Sequence, residues 1–114
     1  MGLLEISVAA GAAGPVLTLS GEADVTTVAE LSAALTAQLA SGAQHLTVNL
    51  SGLRFADSAV IRELVMAGRK LKDRGGGLVL ANPQPAVARA LSLLGVDQAI
   101  EVRAGTDAAA GPER

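Results

Sequence analysis

The residues best placed to do chemistry in this chain are an adjacent pair, Asp57 and Ser58. They stand where an irregular stretch, Arg54-Phe55-Ala56-Asp57-Ser58, runs into a well-patterned helix. A helix N-terminus presents unpaired backbone N–H groups and the positive end of the helix dipole. Asp and Ser are favoured there as caps, and capping alone accounts for both. The functional alternative is an exposed hydroxyl within reach of a protein kinase, with a carboxylate beside it. Glu22 and Asp24 form a second carboxylate pair, but no nucleophile and base converge on them, and Asp is common in turns for its own local hydrogen bonding. His45, the single histidine, stands at the start of a strand and cannot build a metal site alone. Arg69, Lys70, Lys72 and Arg74 gather at the end of the helix that Ser58 opens, where cations suit the dipole. Gly75-Gly76-Gly77 stops that helix and lacks the lysine and spacing of a phosphate-binding loop.

Composition narrows the function classes. At 114 residues the chain makes one domain, long enough to bury a core without disulfides or metals. Half the residues are apolar, mostly Ala, Leu and Val, and Phe55 is the single aromatic. That argues against base stacking, the usual hold on single-stranded nucleic acid. A net charge of −2 with scattered Lys and Arg is no electrostatic footprint for DNA or RNA. There is no cysteine, hence no disulfide framework or thiol chemistry. Met1-Gly2-Leu3-Leu4-Glu5 lacks the basic flank and apolar core of a signal peptide, and no apolar run approaches membrane-spanning length. The expectations are no direct nucleic-acid partner, no membrane insertion, no cofactor, no metal, and a cytoplasmic location.

The elements that must position these residues follow from hydrophobic period. Residues 3–9 read as a strand with Leu4, Ile6 and Val8 on one face, and residues 16–20 as a second, antiparallel to it across a Gly/Pro turn. Gly21-Glu22-Ala23-Asp24 is expected to break that strand. Thr27-Val28-Ala29-Glu30 fits a capping box, followed by a stripe of Val28, Leu31, Leu35 and Leu39 that Ser41-Gly42 ends. Leu46, Val48 and Leu50 alternate over a strand of about five residues, and Ser51 to Ser58 is expected as a loop. A second helix buries Ile61, Leu64, Val65, Gly68 and Leu71. Leu78-Val79-Leu80 is a short strand. A third helix opens at Pro85, buries Val87, Leu91 and Leu94, and stops at Gly95. Residues 99–102 make a last strand. Residues 1–103 form the domain and residues 104–114 a flexible tail. The order β-β-α-β-α-β-α-β implies right-handed crossovers and a mostly parallel sheet of four or five strands, with helices mainly on one face.

Three local patterns in this order resemble the STAS family, which includes sulfate-transporter domains and anti-sigma factor antagonists. Leu17-Thr18-Leu19-Ser20-Gly21-Glu22-Ala23-Asp24 resembles the family's second strand and Gly-Glu-x-Asp turn. The run from Leu46 to Ser58 resembles its core strand and signature loop, often Asp-Ser-Ser-Gly or Asp-Thr-Ser-Gly. Gly75 to Asn82, followed by a Pro-led helix ending Leu94-Gly95, resembles its third α/β unit. Together they span most of the chain, from Val16 to about Val102.

The resemblance implies a partner switch and not an enzyme. Such an antagonist binds an anti-sigma factor that is also a serine kinase and so frees a sigma factor. The kinase phosphorylates the residue after the signature Asp, here Ser58, and a serine phosphatase reverses it. The implied contact surface joins Gly21, Glu22 and Asp24 to Asp57, Ser58, Ala59, Val60 and Arg62, in a bacterial protein that is a monomer or weak dimer. The chain departs from the family at Ala59-Val60, where Ser-Gly is usual, and at Arg62, where a small residue is common. Val60 is expected to stiffen the first turn and add bulk beside Ser58. Two other classes stay open: a non-phosphorylated STAS subunit of a transporter or signalling complex, and a module sensing a nucleotide or anion at the Ser58 helix end.

Overall fold

The computed structural model describes residues 3–103. The expected tail, 104–114, lies outside the described residues. Five strands and three helices follow in the order β1 (Leu4–Ala10), β2 (Pro15–Ala23), α1 (Val28–Ala40), β3 (His45–Ala56), α2 (Ser58–Asp73), β4 (Gly77–Ala81), α3 (Pro85–Leu93) and β5 (Glu101–Arg103). A 3-10 turn over Val96–Gln98 precedes β5. The sheet order is β1-β2-β3-β4-β5. β1 runs antiparallel to β2, and the other three pairings are parallel.

The register gives each face of the sheet its own chemistry. Val8, Leu17, Val48, Leu80 and Val102 lie opposite one another in one row across all five strands. The next row is Ser7, Thr18, Asn49, Ala81 and Arg103. Successive strand residues face opposite sides, so one face is aliphatic and the other largely polar. The aliphatic face joins Leu31 and Leu35 of α1, Ile61, Leu64 and Leu71 of α2, and Val87 and Leu91 of α3 in a single core cluster. This is the mixed sheet with helices gathered on its apolar side that the element order implies.

Five local expectations need correction. β2 does not break at Gly21 but runs to Ala23, and β3 does not end near Leu50 but runs to Ala56. Between Thr18 and Ser20, and again between Gly21 and Glu22, the pairing slips by one residue, so β3 carries two bulges. Each bulge resets the inside–outside alternation, so that Leu50 and Leu53, three apart, are both buried. The stretch 51–56 therefore loses strand periodicity in the sequence while remaining strand.

The capping box does not form. Thr27 is the N-cap of α1 by position, but its backbone is helical (φ −117, ψ −2) and its side chain makes no cap bond. Its hydroxyl oxygen instead accepts from the Asp24 N–H at 3.0 Å, holding the preceding loop. At the other end of the chain, Leu94 is 56% exposed at the C-cap of α3, outside the buried stripe. Val65 is only half-buried, against the core rather than within it.

Candidate functional site

β2 and β3 lie side by side in parallel and finish together, with Ala23 opposite Ala56. The chain leaves both strands at the same edge of the sheet, where parallel α/β units place ligand-contacting loops. From β2 it enters the loop that holds Asp24. From β3 it turns at once into α2. The two exits are tied by the Asp57 N–H, which donates to the Ala23 carbonyl at 3.1 Å.

Asp57 is the N-cap of α2, with extended backbone (φ −87, ψ 178), and its Oδ1 accepts from the Val60 N–H at 3.1 Å. That satisfies one of the donors a helix start leaves open. Ser58 is the first residue of α2 and is exposed. Its hydroxyl has no hydrogen bond within the described residues. Ala59, next to it, is half-buried.

The expected contact residues sort into three placements. Asp24, Asp57, Ser58 and Arg62 reach the surface at this end of the molecule. Glu22 does too, held near Arg54 by an ion pair of 3.7 Å. Both partners of that pair are exposed, and such a surface pair contributes little to stability. Gly21 sits inside β2, paired with Leu4 on one side and Leu53 on the other, at φ +103. Its backbone shapes the strand and is not part of a turn tip. Val60 needs correction: its side chain is 0% exposed, within the core cluster. Its bulk fills the interior under the first turn of α2 and adds nothing beside Ser58.

Asp24 is also engaged locally. Its Oδ1 accepts from the Thr26 hydroxyl at 2.6 Å and from the Thr26 N–H at 2.9 Å. Those bonds, the hydroxyl first, hold its carboxyl below the usual carboxylate range. The carboxylate is thus an exposed, ionised feature of a shaped loop.

Two sets of surface residues were not legible as site residues. Phe55 and Val25 are 50% and 71% exposed at the ends of the two strands, apolar side chains flanking the carboxylates. On the other side of Ser58 a shallow groove runs along α2, floored by Ile61 and Val65 and walled by Leu94 and Val96. Arg62 and Arg69 line it as well. Residues 58, 62, 65 and 69 follow the i, i+4, i+7 spacing of one helix face. That second face is a mixture of charge and apolar groups, so no apolar period marks it.

Among the described residues no three His, Cys, Asp or Glu side chains gather as a metal site. No described helix is long and apolar enough to cross a membrane.

Residues 6–103 match the family model described as Mlab, STAS domain. The chain belongs to the STAS family. Solved structures place this STAS domain among anti-sigma factor antagonists in fold. One such antagonist from Mycobacterium paratuberculosis is 26% identical, with a TM-score of 0.83 over 92% of this chain and 88% of that one. An anti-sigma-factor antagonist (STAS) domain protein from Planctomyces limnophilus is 21% identical, with a TM-score of 0.78 over 91% and 93%. The phosphorylated form of the Bacillus cell fate determinant SpoIIAA is 22% identical, with a TM-score of 0.69 over 92% and 93%. The last two establish shared fold alone.

Proposed function

We propose that this STAS domain is an anti-sigma factor antagonist whose binding to an anti-sigma factor with serine-kinase activity releases a sigma factor, under control of phosphorylation at Ser58. The observation that carries the reading is the free, exposed hydroxyl of Ser58 at the first position of α2, directly after the capping Asp57. Among the described residues no hydrogen bond has to break for that hydroxyl to attack a phosphoryl group. The likeness to the Mycobacterium paratuberculosis antagonist supports the same reading, as does the existence of a phosphorylated form of SpoIIAA. A serine phosphatase restores the unmodified state. The protein works by binding and not by catalysis, in the bacterial cytoplasm, with neither nucleic acid nor bilayer as a partner, as a monomer or weak dimer.

Phosphate at this position adds roughly two negative charges. The helix N-terminus stabilises them by about 0.3–1 kcal/mol when exposed, and the neighbouring Asp57 opposes them by a similar order, reduced by salt. The fold tolerates the change. A partner packed on this surface must take the new charge out of water, at a cost on the order of several kcal/mol.

The test is incubation with the anti-sigma kinase of the source cell and ATP, read by intact mass and site mapping. One phosphate on Ser58 and loss of the complex are expected. An unmodified Ser58, while the same kinase modifies another antagonist, sinks the switch. It would favour a second reading as a non-phosphorylated subunit of a transporter or signalling complex, or as a nucleotide- or anion-sensing module. Ala59, half-buried beside Ser58 where the family usually has Ser, is the feature that supports that second reading.

A further inference from the structure

Ser58 and Arg62 stand four residues apart on α2, which stacks them one turn apart on the same face. Both are exposed and both line the groove floored by Ile61 and Val65. Long helical side chains lean back over the preceding turn, and for Arg62 that turn is the one Ser58 begins. Among the described residues Arg62 makes no ion pair and no hydrogen bond. Three carboxylates at this end of the molecule have partners of their own. Asp57 gives Oδ1 to the Val60 N–H, Glu22 pairs with Arg54, and Asp24 is bonded to Thr26. Arg69 lines the same groove, but eleven residues beyond Ser58 it lies about 16 Å away along the helix axis.

We propose that Arg62 is the internal receptor of the Ser58 phosphate, a guanidinium that the modification draws across the groove and so withdraws from the partner. The proposal rests on the reading of Ser58 as the phosphorylated residue. Arginine offers forked N–H donors that match phosphate oxygens, and these charge-assisted bonds are the strong ones. In the unmodified protein the same side chain lines a groove of mixed apolar and basic residues and has no ion pair among the described residues. It is then free for a carboxylate of the bound partner. Phosphorylation thus acts twice: it adds a charge the partner must bury, and it removes a cation the partner uses.

The test installs phosphoserine at position 58 during translation, so that no kinase is involved. The second ionisation of the phosphate, ordinarily near pH 6, is followed by phosphorus NMR. Pairing with Arg62 favours the dianion, so the midpoint in the otherwise native protein should lie about 0.2–0.4 pH below that of the Arg62→Gln variant. Arg62→Lys should fall between, and Arg69→Gln should match the native protein. Circular dichroism of unmodified Arg62→Gln confirms that the exposed substitution leaves the fold intact. Equal midpoints in the native protein and Arg62→Gln overturn the proposal. Equal rises in Arg62→Gln and Arg69→Gln also overturn it, since they reflect a general field and not a pair. A kinase that ignores Ser58 removes the switch without altering this result, so the two failures are distinguishable.

Discussion

The Asp57 N–H is hydrogen-bonded to the Ala23 carbonyl at 3.1 Å, joining the residue that caps α2 to the last residue of β2. The bond extends the β2–β3 pairing one step past Ala23 and Ala56. It fixes the Asp24 loop beside the start of α2. The surface around Ser58 is therefore held by backbone, and a group added to the Ser58 side chain alters what this surface can bind before it alters the fold.

Asp57→Ala should lower stability by about 0.5–2 kcal/mol, the usual cost of losing an N-cap. The Val60 N–H would lose its acceptor at 3.1 Å. Chemical denaturation reads the loss directly. A change near zero would mean that water replaces the carboxylate at no cost.

Ser58→Asp should melt close to the native protein yet lose its partner, whereas Ser58→Ala should bind and resist release by the kinase. The side chain is exposed and makes no internal hydrogen bond within the described residues, so neither change reaches the core. Thermal melts paired with a binding titration separate the two effects. A large fall in melting temperature for Ser58→Asp would contradict a surface role.

Gly21→Ala should be far more damaging than Gly42→Ala. Both glycines have positive φ, +103 and +90. A Cβ at Gly21 would overlap the Leu3 carbonyl oxygen, while one at Gly42 meets nothing within 4 Å. Gly42→Ala carries the conformational strain alone, about 1–2 kcal/mol. Gly21→Ala adds a backbone clash that the β1–β2 pairing cannot relieve without shifting. Equal losses in denaturant titration would show that β1 can yield.

Thr26→Ala should raise the Asp24 pKa back toward its ordinary value, because the Thr26 hydroxyl is the first cause of its depression. The folded value lies below the unfolded one, near 3.9. The ionised carboxylate therefore contributes stability that is present above that pH and is lost as pH falls through the folded value. In Thr26→Ala this acid-limb contribution should shrink. Carbon-detected NMR titration of the Asp24 carboxyl checks both the shift and its sign.

Leu64→Ala should cost about 2–5 kcal/mol, the range for truncating a buried leucine. Leu64 is 1% exposed in the cluster that joins α2 to the sheet. Denaturant titration should show a lower midpoint with an unchanged slope. A loss under about 1 kcal/mol would show that the core closes around the missing atoms.

Most of the scaffold was legible because its periods are clean. The alternation of Leu46, Val48 and Leu50 is a strand signal, and the spacing of Leu31 and Leu35, or of Ile61, Leu64 and Leu71, is a helical one. All eight are buried. Pro85 opens α3, and Gly75 and Gly95, with φ of +87 and +74, stand where helices stop. The long extensions of β2 and β3 were not legible. Two bulges shift the phase of β3, and a shifted alternation looks the same as a loop in one dimension.

At the site itself, sequence alone determined that Asp57 and Ser58 open a helix, because capping preference and the stripe that follows are local properties of the chain. It could not decide which way Val60 points. A β-branched residue two positions after Ser58 lies toward the core or toward solvent according to how α2 is rotated on the sheet. The tertiary packing turned Val60 fully inward and left Arg62 outside. The same packing set Leu94 against the exposed face of α2, where Ser58 and Arg62 line one groove with it. It also brought Ala23 to Asp57 across the sheet, a contact between residues 34 positions apart that only parallel strand pairing can make. Local pattern specifies elements. The faces they present to one another, and hence the surface a partner meets, depend on how the apolar sides close together.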